Sequence, residues 1–382
     1  MMNTNRTTVL NSAKRVVVKV GSNVLTEDHG LNLKTIRSIS RQICRLIDGG
    51  LEIILVSSGA MASGIRKVGL DKRPDEIPKR QAVAAVGQAG LIMEYERAFG
   101  RYHKKVAQIL LTGDDLNNRI RYLNARNTLR MLLSWEVVPI INENDTVMVE
   151  EIQFGDNDNL AAMITLLMDA DILVNLTDID GLYNKDPRTN PDAEFIPLVS
   201  TIREDIKQAA GDIPGALGTG GMLSKINAAK KVTAAGIPMI IANGGKSDTL
   251  TKLFSGKDIG TFFTPKTKKL KSRKCWIAFT LKPKGVIRID DGAAAAIVNR
   301  GKSLLPSGIV GVEGEFGVGA PVEFRKVDDN ETLGTGLVNY SADDIRKIMG
   351  LKSGQIKKCL GHKPYDHVIH RDNLVVTAEC NV

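Results

Sequence analysis

Arg15-Val-Val-Val-Lys-Val20 stops at Gly21-Ser22, and Leu51-Glu-Ile-Ile-Leu-Val56 stops at Ser57-Ser58-Gly59. Between these two β-branched runs, Ile36, Ile39, Ile43, Leu46 and Ile47 recur at helical spacing, and Gly49-Gly50 ends the series. Strand, helix, strand is the unit from which parallel sheets are built. The alternation continues along the chain. It predicts helices over residues 79–99, 122–135, 160–168 and 225–235. Strands are predicted over 106–111, 137–141 and 172–177, with a last buried strand over 238–242. Continuous apolar strands separated by helices indicate an α/β domain, a mainly parallel sheet sandwiched by helices on both faces.

Ligands of such sheets sit beyond the carboxyl ends of the strands. Four polar clusters fall there: Gly21-Ser22, Ser57-Ser58-Gly59, Asn142-Glu143-Asn144-Asp145 and Thr177-Asp178. A fifth polar run, Phe154-Gly-Asp-Asn-Asp-Asn159, begins nine residues after Asp145 and leads into the apolar run at 160–168. Taken alone, it fits a surface loop with Asx-turns and a helix cap, with Asn159 at the cap position. It fits equally well a holder for a polar ligand or a metal–phosphate complex at a helix N-terminus. Lys19 stands among valines, where a buried ammonium group is costly without a partner. It lies either on a wet face or at the mouth of the sheet. Gly218-Thr-Gly-Gly-Met-Leu-Ser-Lys225 is a second glycine-rich turn running into a helix, with the geometry of a polyphosphate cradle but without the Walker spacing. Two lysines, two glycine-rich turns and an Asp/Asn cluster at one sheet mouth supply the parts of phosphoryl transfer: positioning and charge neutralisation.

The charge distribution narrows the class further. The net charge is +9, yet residues 1–265 carry 32 Lys and Arg against 30 Asp and Glu, and residues 276–382 carry 14 against 13. The remaining excess lies in Lys266-Thr-Lys-Lys-Leu-Lys-Ser-Arg-Lys274, a solvated basic linker over 266–275 rather than an RNA-binding face. RNA is therefore not an expected partner. Beyond the linker, short strand-like pieces at 276–281, 285–289, 309–312, 321–324 and 334–340 are broken by Gly and Pro. With helices near 293–300 and 342–349 and a strand at 374–377, they indicate a small β-rich domain, a barrel or a sandwich, over 276–382. Cys44, Cys275, Cys359 and Cys380 are scattered and suit free thiols in a reducing compartment. No apolar run is long enough to span a bilayer, and the polar start lacks the apolar core of a secretory signal, so the expected location is cytoplasmic, with no membrane partner. His370-Arg-Asp-Asn373 is not a protein-kinase catalytic loop, because position 377 is Thr and no Asp-Phe-Gly occurs.

These motifs in this order resemble the amino-acid kinase family. The matching segments are Val17-Val-Lys-Val-Gly-Ser-Asn-Val-Leu-Thr26, Ser57-Ser-Gly-Ala-Met-Ala62, Ala84-Ala-Val-Gly-Gln-Ala89, Val138-Pro-Ile-Ile-Asn-Glu-Asn-Asp145, Gly155-Asp-Asn-Asp-Asn-Leu-Ala161, Leu176-Thr-Asp178 with Gly181-Leu-Tyr183, and Gly218-Thr-Gly-Gly-Met222 with Lys225. The tail resembles a PUA domain. The resemblance lies with the branch that phosphorylates the γ-carboxylate of L-glutamate from ATP, the first step of proline biosynthesis. It implies catalytic roles for Lys19, Lys225, Asp158 and Asp156, the two aspartates organising the lysines or Mg²⁺. It implies that Ser58, Asp145 and Asn157 bind glutamate, Asp145 at the α-ammonium group and Asn157 at a carboxylate. Lys19, Thr177, Asp178, Thr219, Gly220, Gly221, Met222, Leu223, Ser224 and Lys225 match nucleotide-binding positions, and no metal ligand is assigned. It further implies ATP as co-substrate with Mg²⁺, inhibition by proline, a homo-oligomer (dimer or tetramer), and the next enzyme of the proline pathway as a partner.

Overall fold

The computed structural model describes residues 6–27, 30–147, 157–204, 206, 208, 221–265, 269–270, 272–327 and 332–376. The chain divides into two compact units, Met1–Lys269 and Leu270–Val382. The basic run is thus shared between them. In the first unit eight strands form one sheet: β1 (Arg15–Val20), β2 (Glu52–Ser57), β3 (Lys105–Leu111), β4 (Val137–Glu143), β5 (Ile172–Thr177), β6 (Leu198–Val199), β7 (Met239–Asn243) and β8 (Thr261–Phe263). Their spatial order is β6-β8-β7-β5-β1-β2-β4-β3. All neighbours pair in parallel except β7 and β8. The strand at 239–243 is therefore not the last one: Thr261–Phe263, only three residues long, adds an antiparallel neighbour that is too short to register as a periodic run.

The central strands are buried because helices cover both faces. Val16, Val17, Val18 and Val20 of β1 are fully buried, as are Ile54, Leu55 and Val56 of β2. Helix α1 (Leu33–Asp48) starts where Asn32 accepts a hydrogen bond from the Thr35 N–H, and it buries Ile36, Ile39 and Ile43 against the sheet. Helices α2 (Ala60–Val68) and α3 (Ile77–Gly100) cross in very close contact. A Cβ on Gly87 would lie 1.8 Å from the Ala60 carbonyl oxygen, so only glycine permits this crossing. Gly59 caps α2 with φ of 104°, a left-handed conformation that turns the chain sharply after Ser58. Helix α4 (Arg119–Ser134) packs on β4, and α5 (Asn157–Leu167) packs under β1. Helix α6 (Met222–Ala234) lies against α5. Helix α5 begins at Asn157, so Asn159 is not its cap. It sits in the first turn, where its Oδ1 accepts from Lys231 Nζ at 2.5 Å.

The second unit is built on one five-stranded mixed sheet, so the sandwich alternative does not hold for the described residues. A strand was expected at 276–281; residues Ser272–Phe279 are instead a helix, with Cys275, Trp276 and Ile277 buried. Aromatic and β-branched residues give this stretch strand propensity, but packing against the strands Thr332–Val338 and Ile369–Val376 overrides it. No helix among the described residues is long and apolar enough to cross a membrane.

Candidate active site

The strand order reverses between β1 and β5, and Lys19 and Asn175 are register partners there. Both side chains reach Asp158, the second residue of α5. Lys19 Nζ lies 2.5 Å from Asp158 Oδ1, and Asn175 Nδ2 donates to the same oxygen at 2.7 Å. From α6, Lys225 Nζ at 3.0 Å and Ser224 Oγ at 2.6 Å donate to Oδ2. Asp158 is fully buried, while Lys19 and Lys225 are 3% and 5% exposed. Burial pushes the Asp158 carboxyl up, but the charges of Lys19 and Lys225, with hydrogen bonds from Lys19 and Ser224, more than reverse this. The group is held well below the usual carboxylate range. Two buried ammonium groups are thus held side by side on one carboxylate at the mouth of the sheet.

Asn157, one residue earlier, turns to a different strand. Its Nδ2 donates to Ser58 Oγ at 2.9 Å, to Asn142 Oδ1 at 2.9 Å and to the Ser57 carbonyl at 3.3 Å. Asn142 Oδ1 also accepts from the Glu143 N–H at 2.9 Å, so that oxygen is fixed and with it the orientation of the Asn157 amide. Asn157 Oδ1 is buried and has no hydrogen-bond partner among the described residues. The open atom of Asn157 is therefore an acceptor. It suits an ammonium group. Asp145, half-buried two residues past β4, presents a second acceptor. Burial pushes its carboxyl up to about 6, against the lowering effects of the Arg73 charge and a hydrogen bond from Gln88.

On the other side of Asp158, Gly221 precedes α6 without any side-chain cap, which leaves the first N–H groups, those of Met222 and Leu223 among them, for a ligand. Ser224 bridges back to the Gly221 carbonyl at 2.9 Å. At the end of β5, Thr177 Oγ1 donates to Asp178 Oδ1 at 3.0 Å, and Asn23 Nδ2 donates to Asp178 Oδ2 at 3.1 Å. Asp156, Thr219 and Gly220 lie outside the described residues.

The sequence pattern of the Amino acid kinase family matches residues 14–243, more than half of the chain. The chain belongs to the amino acid kinase family. The PUA domain pattern matches residues 285–360. Among curated relatives, the Glutamate 5-kinase of Syntrophus aciditrophicus (strain SB) is 54% identical over 98% of this chain and 97% of its own length. That of Geobacter sulfurreducens is 51% identical over 97% of this chain and 100% of its own length. The Glutamate 5-kinase of Thermoanaerobacter sp. (strain X514) is 50% identical over 95% and 97%.

Sequence reasoning on this amino acid kinase family member missed four residues at the site. Asn175 carried the same signal as Lys19, a polar side chain inside an apolar strand, and it is the tie between β5 and Asp158. Asn142 was quoted only as part of a cluster, yet it fixes Asn157. Gln88, quoted only within the Ala84–Ala89 segment and given no role, and Arg73 act on Asp145 from α3 and from the segment before it.

Proposed function

We propose that this chain transfers the γ-phosphoryl group of ATP to the γ-carboxylate of L-glutamate, giving γ-glutamyl phosphate and ADP, as the first step of proline biosynthesis. The observation that carries the reading is the buried cluster in which Lys19 and Lys225 both engage Asp158. A free glutamate carboxyl has a pKa of about 4.3, so the nucleophile is ionised at neutral pH and needs no general base. The barrier is the approach of one anion to another. A γ-carboxylate oxygen bonds to the γ-phosphorus as the bond to the β,γ-bridging oxygen breaks. Lys19 and Lys225 attract the charge spread over the transferring group. Asp158 holds both amines at fixed spacing, and Asn175 and Ser224 hold Asp158.

At the acceptor end, Asp145 and the open oxygen of Asn157 favour a free α-ammonium group. This supports glutamate over N-acetylglutamate, whose amide nitrogen carries no charge. Proline, which carries an amine and a carboxylate of its own, is the inhibitor the reading implies, and a homo-oligomer is its assembled form.

The donor set does not fit a protein-held divalent cation at Asp158, because Lys19 and Asn175 engage one carboxylate oxygen and Lys225 and Ser224 the other. Among the described residues no group of three His, Cys, Asp or Glu side chains forms a metal site. Mg²⁺ therefore belongs with the phosphates of the nucleotide.

An ADP-release assay with L-glutamate and Mg-ATP, followed by hydroxylamine trapping of the acyl phosphate, tests the reading. Turnover with aspartate, carbamate or N-acetylglutamate but not with glutamate would overturn it.

A further inference from the structure

We propose that Gln108, on the outer edge strand β3, sets the orientation of the Gln88 amide and through it positions Asp145 for the ammonium group of the substrate. The inference rests on the reading of Asp145 given above. Gln88 is buried in the middle of α3. Its Nε2 lies 3.4 Å from the Glu143 carbonyl oxygen, two residues before Asp145, and its amide is near enough to the Asp145 carboxyl to lower its pKa as a donor. Both of those partners are acceptors when Asp145 is ionised, and only the amide nitrogen, with two N–H donors, can serve them. The oxygen of Gln88 must then face the opposite way. There Gln108 Nε2 donates to Gln88 Oε1 at 3.1 Å.

The chain of contacts is directional. A donor at position 108 holds the Gln88 oxygen and leaves its nitrogen to Asp145. An acceptor at position 108 would draw the nitrogen instead, and the Gln88 oxygen would then face the Asp145 carboxylate and the Glu143 carbonyl, two repulsive contacts. The Gln88 backbone has little room to adjust, because Gly87 is pressed against the Ala60 carbonyl. Gln108 is exposed, so its own amide can be replaced without opening the core. Its strand runs in register with β4, whose end carries Glu143 and leads to Asp145. Gln88 and Gln108 are thus positioning residues, outside contact with the reacting atoms.

A matched pair of substitutions separates this role from simple packing. Gln108→Lys keeps a donor; Gln108→Glu supplies an acceptor of nearly the same size as glutamine. Steady-state kinetics on the full chain, with Asp145→Asn as reference, gives the readout. Gln108→Glu is expected to raise the glutamate KM about tenfold, the effect of one misdirected hydrogen bond to a charged group. Its kcat and ATP KM should stay within about twofold of the parent, and Gln108→Lys should retain the parent KM. Gln88→Leu should raise the glutamate KM similarly, with little further effect when combined with Gln108→Glu. If Asp145→Asn itself leaves the glutamate KM unchanged, the reading of Asp145 fails. If Asp145→Asn raises it, the relay is overturned by three results: a Gln108→Glu variant that matches the parent, equal effects of Lys and Glu at position 108, or a fall in kcat as large as the rise in KM.

Discussion

Asp158→Asn keeps the shape of the side chain and removes the charge between two buried ammonium groups. Asp158 is fully buried and bonded on both oxygens, so solvent cannot replace what is lost. Leaving buried charges without their partner costs about 3–5 kcal/mol. At about 2–4 °C per kcal/mol for a unit of this size, the first unit should melt on the order of 10 °C lower. Lys225→Met, by contrast, leaves the Lys19–Asp158 ion pair in place and should cost far less. The double variant should be more stable than the two single losses added together, with a coupling of about 2 kcal/mol. The pH dependence has a fixed sign. The Asp158 carboxyl is held below its unfolded value, so its contribution is complete above the ordinary carboxylate range near pH 4 and is lost as the solution is acidified. The gap in melting temperature between parent and Asp158→Asn should accordingly be full at neutral pH and should narrow below about pH 4. Calorimetry on the full chain across pH measures this. A neutral-pH melting temperature within about 2 °C of the parent, or a gap that does not narrow in acid, would refute the account of Asp158 as the counter-charge of both lysines.

Three further outcomes are expected. Lys225→Ala should lower kcat by about 10²–10³-fold, the usual scale for losing one charge-stabilising group, with a much smaller change in the glutamate KM; initial-rate kinetics with both substrates varied decides it, and an intact kcat would remove Lys225 from the chemistry. For Asp145, whose carboxyl sits at about 6, kcat/KM for glutamate should fall as pH drops through that value, because the protonated acid cannot pair with an ammonium group; Asp145→Asn should abolish this acid limb while weakening glutamate binding, and an unchanged limb in the variant would assign it to another group. Gly87→Ala would place a Cβ 1.8 Å from the Ala60 oxygen, which should part α2 and α3 at a cost of about 3 kcal/mol or more and raise the glutamate KM through Gln88; a variant with the parent's melting temperature and KM would contradict the close crossing.

Long apolar strands and amphipathic helices were legible in the sequence because each has its own period. The runs at 15–20, 52–57, 105–111 and 172–177 announce themselves without reference to their neighbours. Elements whose form is decided by packing were not legible. Residues 272–279 carry strand-like side chains but bury Cys275, Trp276 and Ile277 from a helix, and the three residues of β8 exist as a strand only beside β7. At the site, Lys19 stood out because charge in apolar company is expensive, and Asp158 because it lies in a dense Asp/Asn run ahead of a helix. Asn175 carried a weaker form of the same signal, and Gln88 none, since a glutamine within an alanine-rich helix is ordinary until Asp145 and Gln108 are seen on either side of it.

Asn157 and Asp158 are adjacent in sequence yet their side chains go to different strands. Successive residues on a helix point about 100° apart. At the start of α5 this sends Asn157 to Ser58 at the end of β2, and Asp158 to Lys19 and Asn175 on β1 and β5. The two side chains serve different strands only because the spatial order is β2-β1-β5, with β5 arriving from far along the chain. That crossover brings the Asn157 amide and the carboxylate that both lysines engage together on adjacent residues. It also explains the amide's orientation. Asn142, on β4 beyond β2, offers Asn157 an oxygen already bonded to the Glu143 N–H, so the Asn157 nitrogen must turn inward and its oxygen is left open. The ammonium preference proposed for this corner thus depends on sheet topology, which sets the Asn157 amide through Asn142.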